Sequence, residues 1–162
     1  MKNKRLLVLS TAFALTLAIG VTSCKKSKDD NGASSQFSAT LGTEAFKPAL
    51  VVAMTQTGSI SIHAYQAKAQ DTSYLELYFP ETATATTKID LDGSNGRLYY
   101  WNFKNTYRYT TGNSLSHGTI TFTTIDKTNK KVAGNFSGVL YQASNDSVVV
   151  KDGKFNTTYI SF

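Results

Sequence analysis

Leu98 to Tyr109 reads LYYWNFKNTYRY, and its residue types point to recognition chemistry. Aromatic faces stack on sugar rings and acyl chains, while asparagine and arginine side chains donate hydrogen bonds beside them. On a strand, Tyr99, Trp101 and Phe103 share one face and Tyr100 and Asn102 share the other. Tyr107 and Tyr109 follow on the next strand, separated by Arg108. The candidate ligand-binding residues are therefore Trp101, Tyr107, Tyr109, Asn102 and Arg108, with Asn105 as a further donor. The competing account is that tyrosines and tryptophan simply pack well on pleated sheet faces. One aromatic face is expected to feed the core in either case.

The single cysteine, Cys24, offers a different chemistry. Lys2, Lys4 and Arg5 precede an uncharged, mostly apolar run from Leu6 to Val21. That is the layout of a bacterial secretory signal. The run is shorter than the roughly 20 residues a membrane-spanning helix needs. Val21-Thr22-Ser23-Cys24 resembles a lipobox, at which the cysteine is acylated and the chain is cut just before it. A free thiol in an exported chain would be open to oxidation with no cysteine to pair with. Cys24 is thus expected to carry acyl chains. Each buried methylene contributes about 0.8 kcal/mol, and more than one chain makes a stable anchor.

Other constellations are weaker. His63 is expected on an outward strand face and His117 in the loop Ser114–Gly118. No His-x-x-x-His or Glu-x-x-His spacing accompanies them, so no metal site is expected. Asp90-Leu91-Asp92-Gly93-Ser94-Asn95-Gly96 alternates oxygen ligands in the manner of a calcium loop. Its sixth position is Asn95 where glycine is needed, and its twelfth is Trp101 where glutamate is needed, so a plain turn is expected. A Ser-His-acid signature and a glycine-rich phosphate loop are both missing. Glu44, Glu76 and Glu81 show no paired setting for glycoside hydrolysis. The reading is of a protein that is not an enzyme and needs no cofactor.

Charge excludes a further class. The formal charge is +6, and removal of Lys2, Lys4 and Arg5 with the signal leaves +3. The tether carries Lys25, Lys26 and Lys28 against Asp29 and Asp30, so the domain itself is near +2. That is no nucleic-acid footprint.

The chain divides into a signal peptide at 1–23, a lipidated cysteine and flexible tether at 24–36, and a globular domain at 37–162. The tether is polar, with no aromatic or branched apolar residue, and holds the domain off the bilayer. The domain shows period-two alternation bounded by turn residues throughout. Three hairpin registers follow from placing apolar sets on one face. Ala64 is set opposite Leu77 and Ile62 opposite Phe79, which leaves 69–72 as the loop and pairs His63 with Tyr78. Ile120 is set opposite Phe136, with a three-residue loop at Lys127-Thr128-Asn129. Leu140 is set opposite Val148, with Ala143-Ser144-Asn145 as the loop. Gly134 and Gly138 fall on the inward face, where a neighbouring strand comes close or the sheet bends. Further strands are expected at 36–41, 49–55, 87–91, 97–103, 107–110 and near 155–160, with Gly42-Thr43-Glu44 as a turn. The fold class is all-β: an antiparallel meander of roughly nine or ten strands, as a β-barrel or a two-sheet β-sandwich.

Several of these segments carry a resemblance. Phe37, Ala39 and Phe46 frame an opening Phe-x-Ala pattern. Gly118-Thr119-Ile120-Thr121, Val132-Ala133-Gly134-Asn135-Phe136 and Gly153-Lys154-Phe155 close the domain. Together they resemble a family of small uncharacterised Bacteroidota lipoproteins with a single all-β domain. The Asp29-Asp30 pair near Cys24 is similar to the acidic export signal of Bacteroidota surface lipoproteins. The resemblance implies a fold and a lipid anchor, and no catalytic residue comes with it. The functional expectation is a lipid-anchored binding or interaction module of the cell envelope, in the outer membrane on its periplasmic face or at the cell surface. Its partners would be the membrane, through Cys24, and a glycan, a small amphiphilic lipid or an envelope protein. The alternative is a structural or assembly subunit with no small-molecule ligand.

Overall fold

The computed structural model describes residues 35–68, 71–104, 106–112, 114–144 and 146–162, so Cys24, the signal segment and nearly all of the tether lie outside the described residues. The described chain is all-β, in one sheet of eleven strands. They are β1 (Gln36–Leu41), β2 (Glu44–Phe46), β3 (Leu50–Gln56), β4 (Ser59–Lys68), β5 (Asp71–Pro80), β6 (Lys88–Asp90), β7 (Arg97–Asn102), β8 (Tyr107–Thr110), β9 (His117–Asp126), β10 (Lys131–Tyr141) and β11 (Ser147–Thr158). Every strand pair is antiparallel. The order runs β2-β1-β11-β10-β8-β7-β5-β4-β3, with β9 also on β10 and β6 on β9. Past β11, Ile160 forms a parallel bridge to Met54 of β3, which ties the β3 edge of the sheet to the continuation of β11. The sheet thus curls around one core as an open barrel.

Alternation dictates which residues fill that core. Ile60, Ile62 and Ala64 on β4 meet Phe79, Leu77 and Leu75 on β5, and all six are buried. At the centre, Phe136 packs on Phe37 at 5.2 Å between ring centroids, and Phe79 packs edge-on to Phe122 at 4.9 Å. Full burial of each such ring contributes about 1.5–3 kcal/mol.

The three hairpins meet different fates. Leu140 lies opposite Val148, and a Gln142 N–H to Asp146 carbonyl bond of 3.0 Å closes the loop at the expected place. Ile120 lies opposite Phe136 as expected, but the strands end at Asp126 and resume at Lys131, so the loop is one residue longer. A bulge at Thr123 absorbs the difference and moves the inward face from Ile120 and Phe122 to Ile125. The left-handed residue there is Lys130, with φ of 51°, rather than Asn129. The first hairpin shifts by two. Ala64 lies opposite Leu75 and Ile62 opposite Leu77, and β5 begins at Asp71. A shift of two keeps every side chain on its face, so burial alone could not distinguish the two registers.

Two further departures concern strand count. Glu44, assigned to a turn, opens β2, which pairs with the end of β1. Val148 and Phe155 belong to a single strand, β11, which carries a bulge at Lys151–Gly153. Asp152 is left-handed there, with φ of 52°, and inward burial switches from Val150 to Gly153 and Phe155. A bulge of this kind breaks period-two alternation, which is why the sequence reads as two segments. Gly134 and Gly138 do sit at close approaches. A Cβ on Gly134 would run into the Thr121 carbonyl oxygen and lie 2.8 Å from the Phe155 ring.

Candidate functional site

Strands β7 and β8 carry the aromatic run, and their pairing sorts it. Tyr99 lies opposite Thr110, Tyr100 opposite Tyr109, Trp101 opposite Arg108 and Asn102 opposite Tyr107. Leu98 is fully buried, so residues of its parity face the barrel interior. The expected binding residues therefore divide between two faces. Asn102, Tyr107 and Tyr109 share the inner face with Tyr100, whereas Trp101 and Arg108 stand on the outer face. They do not form a single platform. The reason is the alternation itself, since adjacent positions on a strand point oppositely.

On the outer face, register aligns a row across five strands. Leu50, Tyr65, Tyr74, Trp101 and Arg108 lie opposite one another in succession. At about 4.8 Å per strand the row is about 19 Å long. Leu50, Tyr65 and the nearby Phe103 are exposed, whereas Tyr74 is buried. Trp101 is already occupied. Phe103 stacks on it at 4.1 Å between centroids, and the Arg108 guanidinium lies 4.4 Å from the ring centroid. The indole Nε1 is buried without a hydrogen-bond partner.

Beside this row, on the same face, runs a directed chain of hydrogen bonds. The Arg97 guanidinium donates to Glu76 Oε1 at 3.1 Å, and the Tyr74 hydroxyl donates to Glu76 Oε2 at 2.7 Å. Having spent its hydrogen, Tyr74 accepts from His63 Nδ1 at 2.6 Å, and His63 Nε2 accepts from the Ser61 hydroxyl at 2.9 Å. Burial holds the His63 imidazole below its ordinary range, with Glu76 opposing. Burial first, then the bond to Glu76, pushes the Tyr74 phenol well up. His63 is half-buried on an outward face, as expected, but lies opposite Glu76 rather than Tyr78. His117 opens β9 and is exposed.

The inner face leads to a pocket of ≈ 360 Å³ at the mouth of the barrel, whose lining includes Leu41, Phe46, Val148 and Tyr100. Gln66, Ser73, Asp71 and Asn102 supply polar groups to the same space, and Glu44 and Lys68 stand there as well. Asn102 Nδ2 donates to Asp71 Oδ2 at 3.3 Å. Asp71 Oδ1 is buried and has no hydrogen-bond partner. Lys68 donates to Glu44 at 2.9 Å. Tyr109 stacks on Tyr100 at 5.9 Å, and its hydroxyl donates to Asp146 at 3.0 Å. Burial and that bond push the Tyr109 phenol up to about 12. Tyr107, exposed, stands edge-on to Tyr109 at 6.3 Å.

Asp71, Tyr100, Ser73 and Gln66 were not among the residues expected at a site. Alternation in the sequence puts position 71 in a loop, and only the shifted register makes it a strand residue. Parity was the available signal, because Asp71 and Ser73 continue the inward series of Leu75, Leu77 and Phe79. Asp92 takes no part. Its Oδ1 accepts the Asn95 and Ser94 N–H groups at 3.0 and 2.8 Å, which closes its own turn and holds its carboxyl below the usual carboxylate range. Among the described residues no three His, Cys, Asp or Glu side chains gather where a metal ion could be held.

A family model described as a domain of unknown function, DUF6252, matches residues 33–158. The chain belongs to the DUF6252 family. The match takes in all eleven strands of the barrel and both faces of the β7–β8 ribbon, so mouth and outer row alike lie within the DUF6252 domain. Nothing matches among curated proteins or among solved structures.

Proposed function

We propose that this DUF6252 protein is a lipid-anchored binding module of the bacterial cell envelope, of the Bacteroidota lipoprotein type, and that the barrel mouth is where it takes a glycan or small amphiphilic ligand. One observation carries the reading: Asp71, whose buried Oδ1 has no hydrogen-bond partner, is among the residues of a pocket that combines apolar side chains with amide and hydroxyl groups. An unmet buried acceptor costs about 1–3 kcal/mol, and a ligand donor there would recover it. A sugar ring suits such a space, with a planar carboxylate and amide at its edge and the Tyr100 ring on its apolar side. The arrangement of the chain agrees with a tethered receptor. The tether joins β1 at Gln36, and the pocket lies at the other end of that strand, at Leu41.

The test is a glycan and lipid array with the purified protein, followed by titration of any positive with Asn102→Ala and Tyr100→Ala. Binding that both variants weaken supports the reading. Binding that neither affects sends the ligand elsewhere.

A second reading is favoured by the outer row. Leu50, Tyr65 and Phe103 are exposed on the outer face, and such a surface suits an assembly subunit that meets another envelope protein. Co-purification from envelope membranes separates the two. A partner lost on Tyr65→Ser, with no ligand at the mouth, would replace the first reading by the second.

A further inference from the structure

We infer that the ligand of the barrel mouth carries a positively charged amino group, and that Asp71 is the residue that receives it. The inference rests on the reading of the mouth as the binding site and names the chemistry of its ligand.

Charge at the pocket is the first ground. The charged side chains that line it are Glu44, Lys68 and Asp71. Lys68 and Glu44 form an ion pair at 2.9 Å, so their charges offset. Lys68 also feels Asp71, and the three groups together leave the pocket with one net negative charge on a domain that is otherwise slightly basic. The second ground is hydrogen bonding. Asn102 satisfies Oδ2, and Oδ1 has nothing. A sugar hydroxyl would give Oδ1 a hydrogen, whereas an ammonium gives it a hydrogen and a charge, and charge-assisted bonds are roughly twice as strong. The third ground is the aromatic wall. Tyr100 lines the same pocket, and ring faces attract ammonium groups.

The chain holds one internal competitor. Lys68 lies opposite Asp71 in the β4–β5 ladder. Its ammonium bonds Glu44 at 2.9 Å and makes no hydrogen bond to Asp71 Oδ1. Glu44 therefore acts as a positioning residue: it keeps the protein's own cation out of the place a ligand's cation would fill.

The experiment is titration calorimetry of the purified full chain at about pH 6, below the ordinary range of amines. The probes are a glucosamine tetramer with free amines, its fully N-acetylated counterpart, and octylammonium. We expect the free-amine tetramer to bind at least about tenfold tighter than the acetylated one, in line with a charge-assisted bond. Asp71→Asn should erase that preference. Glu44→Gln, at an exposed site, should weaken amine binding by freeing Lys68 to turn to Asp71. Octylammonium binding in place of the tetramer would assign the amino group to an amphiphile rather than a sugar, with Asp71 still its acceptor. Equal binding of the two tetramers, or a preference that survives Asp71→Asn, overturns the inference. If neutral glycans bind and Asn102→Ala weakens them while amines bring no gain, the inference falls and the mouth remains the site. If no probe and no glycan binds, both fall.

Discussion

Tyr74 gives its phenolic hydrogen to Glu76, two residues along the same strand, at 2.7 Å, and so becomes the acceptor for His63 Nδ1. The direction of that one bond sets the direction of all its neighbours. Tyr74→Phe removes a donor for a carboxylate and an acceptor for an imidazole in a setting where Tyr74 is buried. The expected loss is about 1–3 kcal/mol, the cost of buried groups left unmet, measured by urea unfolding.

Acidity follows from the same network. His63 is held below its ordinary value by burial, so the folded state resists a proton that the unfolded state accepts. Its contribution is intact above about pH 6.5, the unfolded value, and is lost as pH falls from there through the lower folded value. Glu44, Asp92 and Asp126 are also lowered, but their contributions fade only in the more acidic carboxylate range. Melting temperature should therefore begin to fall below about pH 6.5, and His63→Gln should flatten that first decline. An unchanged profile in the variant would mean that another group drives it.

Packing makes a sharper contrast. Phe136 is 3% exposed and contacts the rings of Phe37 and Phe155. Phe136→Ala should cost roughly 3–5 kcal/mol in chemical unfolding. Lys127→Ala, in the exposed β9–β10 turn, should change stability by less than about 0.5 kcal/mol.

Trp101 is the sole tryptophan, so its emission reports one place. Arg108 and Phe103 both lie against its ring. Arg108→Ala should shift the emission to longer wavelength and raise quenching by iodide. The cation–π contact is worth about 0.5–1 kcal/mol, to be read from a double-mutant cycle with Trp101→Leu. An emission indifferent to Arg108→Ala would show that the guanidinium does not cover the indole in solution.

The anchor is tested separately. Cys24→Ser should abolish acylation and leave an uncut or soluble product in membrane fractionation. A cleaved product that still sediments with membranes would refute lipidation.

The sequence alone determined which residues turn inward. Alternation of Ile60, Ile62 and Ala64, and of Leu75, Leu77 and Phe79, needs no tertiary information, because period two is a property of the strand itself. It also placed Ile120 opposite Phe136 and Leu140 opposite Val148, and it located Gly134 at a crowded point. Tertiary structure decided everything that depends on the count of residues between faces. A register shift of two changes no burial, so only the assembled β4–β5 ladder could bring Asp71 into a strand and set His63 opposite Glu76. Bulges at Thr123 and at Lys151–Gly153 reverse the inward parity part-way along a strand, which alternation alone reads as a break. The division of the aromatic run has the same origin. The types of Trp101, Asn102, Tyr107, Arg108 and Tyr109 are what made them candidates for recognition. Which of them meet is settled by the β7–β8 pairing and by the chain segments that arrive at the mouth from β1, β2, β4 and β5, far away in sequence.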